Sequence, residues 1–416
     1  MHDICRNIRK FALKKAHQGC QKFMKYSTTL FTLLLVLSFG TTVRGQINNI
    51  YGPYLQNIKA AEATVVWEAD KQSIGWVELA PDDGSNFYSS ERPKYFDCTN
   101  GVKNTSLIHT VKLTNLKANT TYRYRIYSKQ VLTHNGTFVN YDNHVAATDV
   151  YSKAPLHFTT LDPEKKETSF VVLNDVHGKK NFITPLMKLA DYQHKDLIFF
   201  NGDMISVLNK KEDFFEGFMN ECIGLFAQEK SPYYARGNHE TRGEFSTHFQ
   251  EYFSPREPHL YFTVRQGPIY FILLDAGEDK PDDDIEYSGI VDYDNYRTEQ
   301  TEWLKTLVND PDYQTAKFRV VICHMPTRID KNDWHGMTDC TNKFTPILNH
   351  MNINVMLAGH THSDSYHEPN ANIQYPVLVN SNEGIIEAQT KDNELDIRVI
   401  HKDGNVVAKK VFTAKN

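Results

Sequence analysis

Apolar and polar positions follow two rhythms along the chain. From about Gln46 to Asp162 short runs alternate with a period of two: Ala63–Glu68, Ile74–Leu79, His109–Leu113 and Thr121–Ser128, the last placing Tyr122, Tyr124 and Ile126 on one face. That period sends successive side chains to opposite faces of a strand, and no stretch here repeats at helical spacing. The segment 46–162 predicts an all-β sandwich with Trp67 as a core anchor. Leu161–Thr168 is charged and contains a proline, which predicts a linker.

After Ser169 apolar strand-like runs alternate with amphipathic helical ones. Strands are predicted at Phe170–Leu173, Leu197–Phe200, Tyr233–Ala235, Tyr261–Val264, Ile269–Leu274, Phe318–Cys323, Val355–Ala358 and Val377–Val379, with a closing pair over Leu395–Val411. Helices are predicted at Phe182–Tyr192 and Glu212–Phe226, around Glu299–Val308 and near Lys343–His350. Such alternation predicts an α/β domain over 169–416, with sheets covered by helices.

Residues 1–45 follow neither rhythm. Residues 1–29 carry seven Lys/Arg and precede the apolar run Leu30–Phe39, which is shorter than the roughly 20 residues that span a bilayer. Basic flank, short apolar run and small or polar residues beyond it predict a signal peptide cleaved after Gly45, hence a secreted or periplasmic protein with no stable membrane span. An uncleaved anchor is the alternative reading, and Met24 is a second candidate start.

Composition sharpens this picture in two ways. Removing residues 1–45 leaves 38 Lys/Arg against 50 Asp/Glu, a net charge of −12. A surface that acidic argues against nucleic acid as partner, and an anionic substrate then needs a local positive charge such as a bound metal. Of the six cysteines, Cys98, Cys222, Cys323 and Cys340 follow the leader, dispersed and without a C-x-x-C pair, so they make no zinc knuckle and leave three pairings open. Asn104, Asn119 and Asn135 begin glycosylation sequons.

The polar residues of interest share one kind of position. Asp175 and His177 follow the strand Phe170–Leu173, Asp203 follows Leu197–Phe200, and Asn238 and His239 follow Tyr233–Ala235. His324 closes Phe318–Cys323, and His360 and His362 follow Val355–Ala358. All lie just past the C-terminal end of a strand, where open α/β sheets place ligands. Carboxylates, an amide and imidazoles are oxygen and nitrogen donors that suit Mn, Fe or Zn better than Ca or Mg. They are too many for one tetrahedral ion and suit two sharing a carboxylate, a pair able to acidify a bridging water and clamp a phosphoryl group. Gly178, Gly202, Gly237 and Gly359 flank them, as tight turns beside an ion require.

The series Asp175-Val176-His177, Gly202-Asp203, Gly237-Asn238-His239-Glu240, His324 and Gly359-His360-Thr361-His362 resembles the signature of the calcineurin-like metallophosphoesterases, over about Ser169–Asn416. The preceding segment, opening with Gly52-Pro53-Tyr54-Leu55-Gln56, is similar to the N-terminal domain of purple acid phosphatases, and Leu116–Tyr122 resembles the corner of fibronectin-type sandwiches. The resemblance implies a four-layer α/β/β/α sandwich behind a fibronectin- or immunoglobulin-like one. It implies two divalent transition-metal ions, one on Asp175, His177 and His362, the other on Asn238, His324 and His360, with Asp203 bridging. It implies that Asp203 and His239 are catalytic, His239 contacting the scissile phosphate together with Asn238 and protonating the leaving oxygen. Purple enzymes carry a tyrosine three residues past the bridging aspartate; Ser206 stands there here, while His177 occupies a position where they have no histidine ligand. A non-purple centre is the expectation.

Three further features lie outside these motifs. His335, in the loop Pro326–Thr338, lies where the resemblance to phosphatases implies a substrate-facing histidine, and a surface histidine is the alternative reading. Arg242 is expected to pair with a carboxylate rather than meet phosphate, and Asp282–Asp284 to be a solvated acidic loop. The leading function is a secreted metal-dependent phosphoesterase acting on a small phosphorylated substrate by metal-activated hydroxide. The alternatives are a binding or adhesion module with a vestigial metal site or, among enzymes, a phosphodiesterase or nucleotide pyrophosphatase in place of a phosphomonoesterase.

Overall fold

The computed structural model describes residues 45–149, 152–328, 330 and 332–415. The leader expected over 1–45 lies outside these, Gly45 apart. Ile47–Asn416 form one compact unit.

Its first part is built on two long strands. Ala63–Pro81 pairs along Ala63–Glu68 with Asn49–Gln56 and Ser106–Leu113, and along Ser73–Pro81 with Thr121–Asn135. One strand thus serves two strand groups, and the two runs read separately in the sequence are halves of it. Between the groups lie Val65, Trp67, Val77, Leu79, Val111, Leu113, Tyr124 and Ile126, all buried. Trp67 Nε1 donates to Ser128 Oγ at 2.8 Å, satisfying the polar edge of a fully buried indole. The Lys117 amide donates to Tyr122 Oη at 2.9 Å, so the tyrosine of Leu116–Tyr122 ties the corner to the backbone a few residues upstream. Phe138–Ala147 and Leu156–Thr159 are strands that periodicity did not single out.

The second part is four-layered, α/β/β/α. Pro232–Ala235, Leu197–Asn201 and Ser169–Leu173 pair in parallel, and Gly384–Lys391, Glu394–His401 and Val406–Thr413 continue that sheet antiparallel. The facing sheet runs Phe262–Gln266, Ile269–Leu274, Phe318–Cys323, Val355–Ala358, Val377–Val379 and Ser365–His367, with its middle four strands parallel. Alternation explains the layers. Phe170 and Val172 enter the core between the sheets, with Phe199, Phe271 and Ile322, whereas Val171 and Leu173 face the helices Ile183–Leu189 and 211–227. Both faces being covered, the parallel strands read as unbroken apolar runs. The helices Tyr293–Thr306 and His335–Leu348 cover the second sheet.

Several expectations need correcting. Leu161–Thr168 is no free linker: Leu161 and Thr168 are buried, the Asp162 amide donates to Gln266 Oε1 at 2.8 Å, and the Thr168 amide donates to Thr390 Oγ1 at 2.8 Å. Tyr54 Oη donates to the Tyr252 carbonyl at 3.0 Å, Tyr124 Oη to Gln228 O at 2.7 Å and Tyr233 Oη to Ile58 O at 2.6 Å, joining the two parts. Gly384–Lys391 is a further strand, one that the apolar pattern does not mark. The last long helix starts at His335, so this residue is helical and not in a loop. Asp282 is not simply solvated: it accepts the amides of Tyr293 and Asp294 at 2.8 and 3.0 Å, capping that helix from a distance. Cys98, Cys222, Cys323 and Cys340 form no disulfide. Among the described residues, no helix is long and apolar enough to cross a membrane.

Candidate metal centre

The parallel strands of the two sheets direct their C-terminal ends to one rim. Asn201 ties the sheets there, its Nδ2 donating to Leu357 O at 3.1 Å across the interface. Asn174 and Asn380 make a second cross-link: Asn174 Nδ2 donates to Asn380 O at 3.0 Å, and Asn380 Nδ2 donates to Asn174 Oδ1 at 2.6 Å.

On this rim the structure brings together all seven residues read as ligands. Ligand atoms of Asp175, His177 and His362 lie within 4.8 Å of one another, as do those of Asp203, His324 and His360. A third group, His177, Asp203 and His239, links the two. Asn238 joins through Oδ1, 3.0 Å from His360 Nδ1. Asp203 Oδ2 is central, 3.1 Å from His324 Nε2, 3.8 Å from His239 Nε2 and 4.0 Å from His177 Nε2.

The backbone is bent to achieve this. Asp175, His177, Asp203, His360 and His362 have φ values of +54°, +51°, +55°, +71° and +55°. Residues other than glycine rarely adopt that region, at a cost of about 1–3 kcal/mol each, and such strain clusters at functional sites. Glycine is needed where loops touch. A Cβ on Gly202 would run into the His324 ring and Gly237, and one on Gly237 into the Asp203 carboxylate and amide.

Neighbouring groups fix the ligands. Asp175 Oδ2 accepts from the His360 amide at 3.0 Å and from Asn174 Nδ2 at 2.6 Å, leaving Oδ1 turned to His362 Nε2 at 3.2 Å. His324 Nδ1 faces the Asn201 carbonyl at 2.7 Å and therefore carries the proton, so Nε2 points inward. His239 is held likewise, Nδ1 against Ser206 O at 2.7 Å. Glu240, the last residue of the Gly237–Glu240 motif, has a part that residue type alone did not suggest. It is fully buried and accepts the amides of Asp203, Gly237 and Met204 at 2.9, 2.9 and 2.7 Å and Tyr234 Oη at 2.7 Å. Its position directly after His239 was visible; its partners were not.

Two observations test whether cations fit. Asp175 Oδ1 and His324 Nε2 are buried and make no well-aligned hydrogen bond, their nearest polar neighbours being other members of the cluster, His362 Nε2 at 3.2 Å and Asp203 Oδ2 at 3.1 Å, an expensive arrangement unless another partner binds there. His177 Nε2 and His362 Nε2 face each other at 3.0 Å, as two lone pairs aimed at a common ion would. The donor set of carboxylates, amide and imidazoles suits transition metals. Charge is tightly balanced. Burial would push His324 down, but Asp203 and Asp175 push it up to about 10. Burial and the nearby His324 push His360 down to about 4. Burial works against ionisation of Asp175 and Asp203, yet His324 and the other histidines hold both below the usual carboxylate range.

The remaining candidates lie beside this cluster. Arg242 makes the expected salt bridge: Nε and Nη2 reach Glu278 at 3.0 and 2.9 Å, Nη2 also reaches Asp279 at 3.1 Å, and Nη1 stands 3.3 Å from His239 Nε2. Asp279 in turn accepts from Asn238 Nδ2 at 3.3 Å. His335 is not drawn into the cluster; its Nε2 lies 2.8 and 3.1 Å from the Asp294 oxygens.

The Calcineurin-like phosphoesterase family model matches residues 168–364, and that of the Purple acid Phosphatase, N-terminal domain matches residues 52–152. No curated protein sequence matches the chain. Similar solved structures include a 5'-nucleotidase from Candida albicans SC5314, 13% identical over 58% of this chain and 53% of that one, with a TM-score of 0.32. Others are Yfce, a phosphoesterase from E. coli (12% identical, covering 58% of this chain and 98% of that one, TM-score 0.28), and TT1561 of Thermus thermophilus (12%, 60% and 99%, TM-score 0.34). With both family models matched in the expected order, the chain carries a calcineurin-like phosphoesterase domain behind a purple acid phosphatase N-terminal domain, and is a metallophosphoesterase.

Proposed function

We propose that the chain is a secreted or periplasmic hydrolase of small phosphate esters that works with two divalent transition-metal ions, Mn, Fe or Zn. Export rests on the basic flank and short apolar run before Gly45. Asp175, His177 and His362 would hold one ion and Asn238, His324 and His360 the other, with Asp203 shared. The observation that carries this is the place of Asp203 Oδ2, with His324 Nε2 at 3.1 Å and His177 Nε2 at 4.0 Å, one from each set. Such a pair, when bound, supplies an acidified water and positive charge for the phosphoryl oxygens.

The protein's own groups do the rest. Asp203 keeps Oδ1 on the His239 amide at 3.0 Å, which aims Oδ2 at the centre. His239, its Nδ1 proton given to Ser206 O, presents Nε2 to the ester, where a proton can pass to the departing oxygen. In the net reaction a water oxygen bonds to phosphorus, the ester P–O bond breaks and the alcohol leaves with a proton. His177 stands with Asp175 and His362, and Ser206 offers only its carbonyl, so a non-purple centre remains the reading.

The test is Asp203→Asn, assayed on p-nitrophenyl phosphate and its bis ester after loading with Mn, Fe or Zn. Loss of at least about a thousandfold in kcat is expected where a shared carboxylate is removed. Wild-type turnover with metals bound would overturn the assignment.

A further inference from the structure

The segment between the strand Ile269–Leu274 and the helix Tyr293–Thr306 is pinned to the rim from below. Asp275 meets Arg236 Nη2 at 2.9 Å, and Glu278 and Asp279 hold Arg242 as described. Its apex is closed by Asp282 on the helix start and by the Lys280–Glu286 ion pair, and Tyr287 Oη accepts from Arg242 Nε at 3.2 Å. Between the apex and the loop 241–247 lies a cleft of about 750 Å³, bordered by Arg242, Tyr287, Ile290, Val291, Tyr293 and Tyr296. A volume of that order holds a small organic molecule.

Three features define what fits. The cleft lies next to the centre, with Arg242 between them: it lines the cleft and its Nη1 stands 3.3 Å from His239 Nε2. Its walls offer three tyrosines and two aliphatic side chains, and Ile290 is 86% exposed, an apolar surface that gains from being covered. Its charge is negative: Glu244 and Asp292 line it, Glu286 lines it paired with Lys280, and Glu278 and Asp279 neutralise the one lining cation, Arg242.

We infer that this cleft receives the alcohol portion of the ester, and that the preferred substrates are phosphate esters of uncharged alcohols with an aromatic or aliphatic body. The inference rests on the phosphoesterase reading given above. Phosphate itself stays at the rim, and the leaving group extends past His239 and Arg242 toward Tyr287 and Ile290. A second phosphate on the leaving group would meet the carboxylates of Glu244 and Asp292 and no free cation among the lining residues, so bisphosphates and polyphosphates are disfavoured.

The experiment compares wild type with Ile290→Asp and Ile290→Ala. The ratio of kcat/KM for 1-naphthyl phosphate to that for glycerol 2-phosphate is expected to fall about tenfold in Ile290→Asp, and less in Ile290→Ala. A ratio unchanged within about twofold overturns the inference. A second readout needs no turnover: saturation-transfer NMR of 1-naphthol with metal-free protein should show binding to wild type, lost in Ile290→Asp and competed by 4-nitrophenol. Absence of naphthol binding to wild type overturns the inference even if esters are cleaved. Naphthol binding without cleavage of either ester supports the cleft and instead contradicts the phosphoesterase reading.

Discussion

Asp203 and Glu240 are joined through the backbone: the Asp203 amide donates to Glu240 Oε2 at 2.9 Å, while Oε1 takes the next amide, Met204, at 2.7 Å. A buried carboxylate thus holds the turn that bears Asp203, with the Gly237 amide on the same oxygen drawing in the loop of Asn238 and His239. Every partner of Glu240 is a donor. Burial and the charge of Asp203 raise its pKa, and the donors work against them.

Glu240→Gln keeps the shape but turns an amide N–H toward backbone N–H groups. We expect a loss of about 3 kcal/mol in unfolding free energy, the cost of leaving buried donors unpaired, together with weaker metal retention. Urea denaturation monitored by circular dichroism checks it. A change below about 0.5 kcal/mol, within the range of an ordinary surface substitution, contradicts the role.

Metal uptake should release protons in a defined window. In the metal-free protein His324 is raised from 6.5 to about 10 by Asp203 and Asp175, so at pH 8 it holds a proton on the nitrogen that a cation needs. Because the folded value lies above the ordinary one, the stabilisation from charged His324 is complete below pH 6.5 and is lost as pH rises through about 10. Metal affinity has the opposite slope and rises over the same interval. Adding Mn to metal-free protein in weak buffer at pH 8 should acidify the solution, and less so in His324→Gln; equal release from both proteins contradicts this.

Gly237→Ala places a methyl group against the Asp203 carboxylate and amide. Neither neighbour can yield without moving the turn that Glu240 holds. The expected cost is about 1–3 kcal/mol, typical of overpacking, and the rise in Tm on adding metal should shrink with it. Differential scanning calorimetry with and without Mn measures both. An unchanged metal-induced rise would contradict the claim that a methyl group at Gly237 displaces Asp203.

Much of the centre was legible because strand ends, flanking glycines and residue type coincide at each ligand. Phe318–Cys323, Val355–Ala358 and Val377–Val379 were legible as strands because, covered on both faces, they are apolar apart from Arg319. Gly384–Lys391 was less so: Glu387 interrupts its apolar run, and only the fold supplies the partners Lys195 and Arg398. His335–Leu348 was cut short because Trp334 provides no side-chain cap and Pro346 lies inside the helix. The carboxylates around Arg242 were invisible for another reason. A salt bridge can be expected from one charged residue, but Glu278 and Asp279 reach it from 36 and 37 positions away.

The most direct measurement is metal stoichiometry by elemental analysis, on protein loaded with Mn, Fe or Zn and freed of excess ion. The account predicts about two ions per chain in wild type and fewer than two in Asp203→Asn, since the shared carboxylate serves both positions. A wild-type chain that retains no metal, or an Asp203→Asn chain that retains the full wild-type complement, contradicts it.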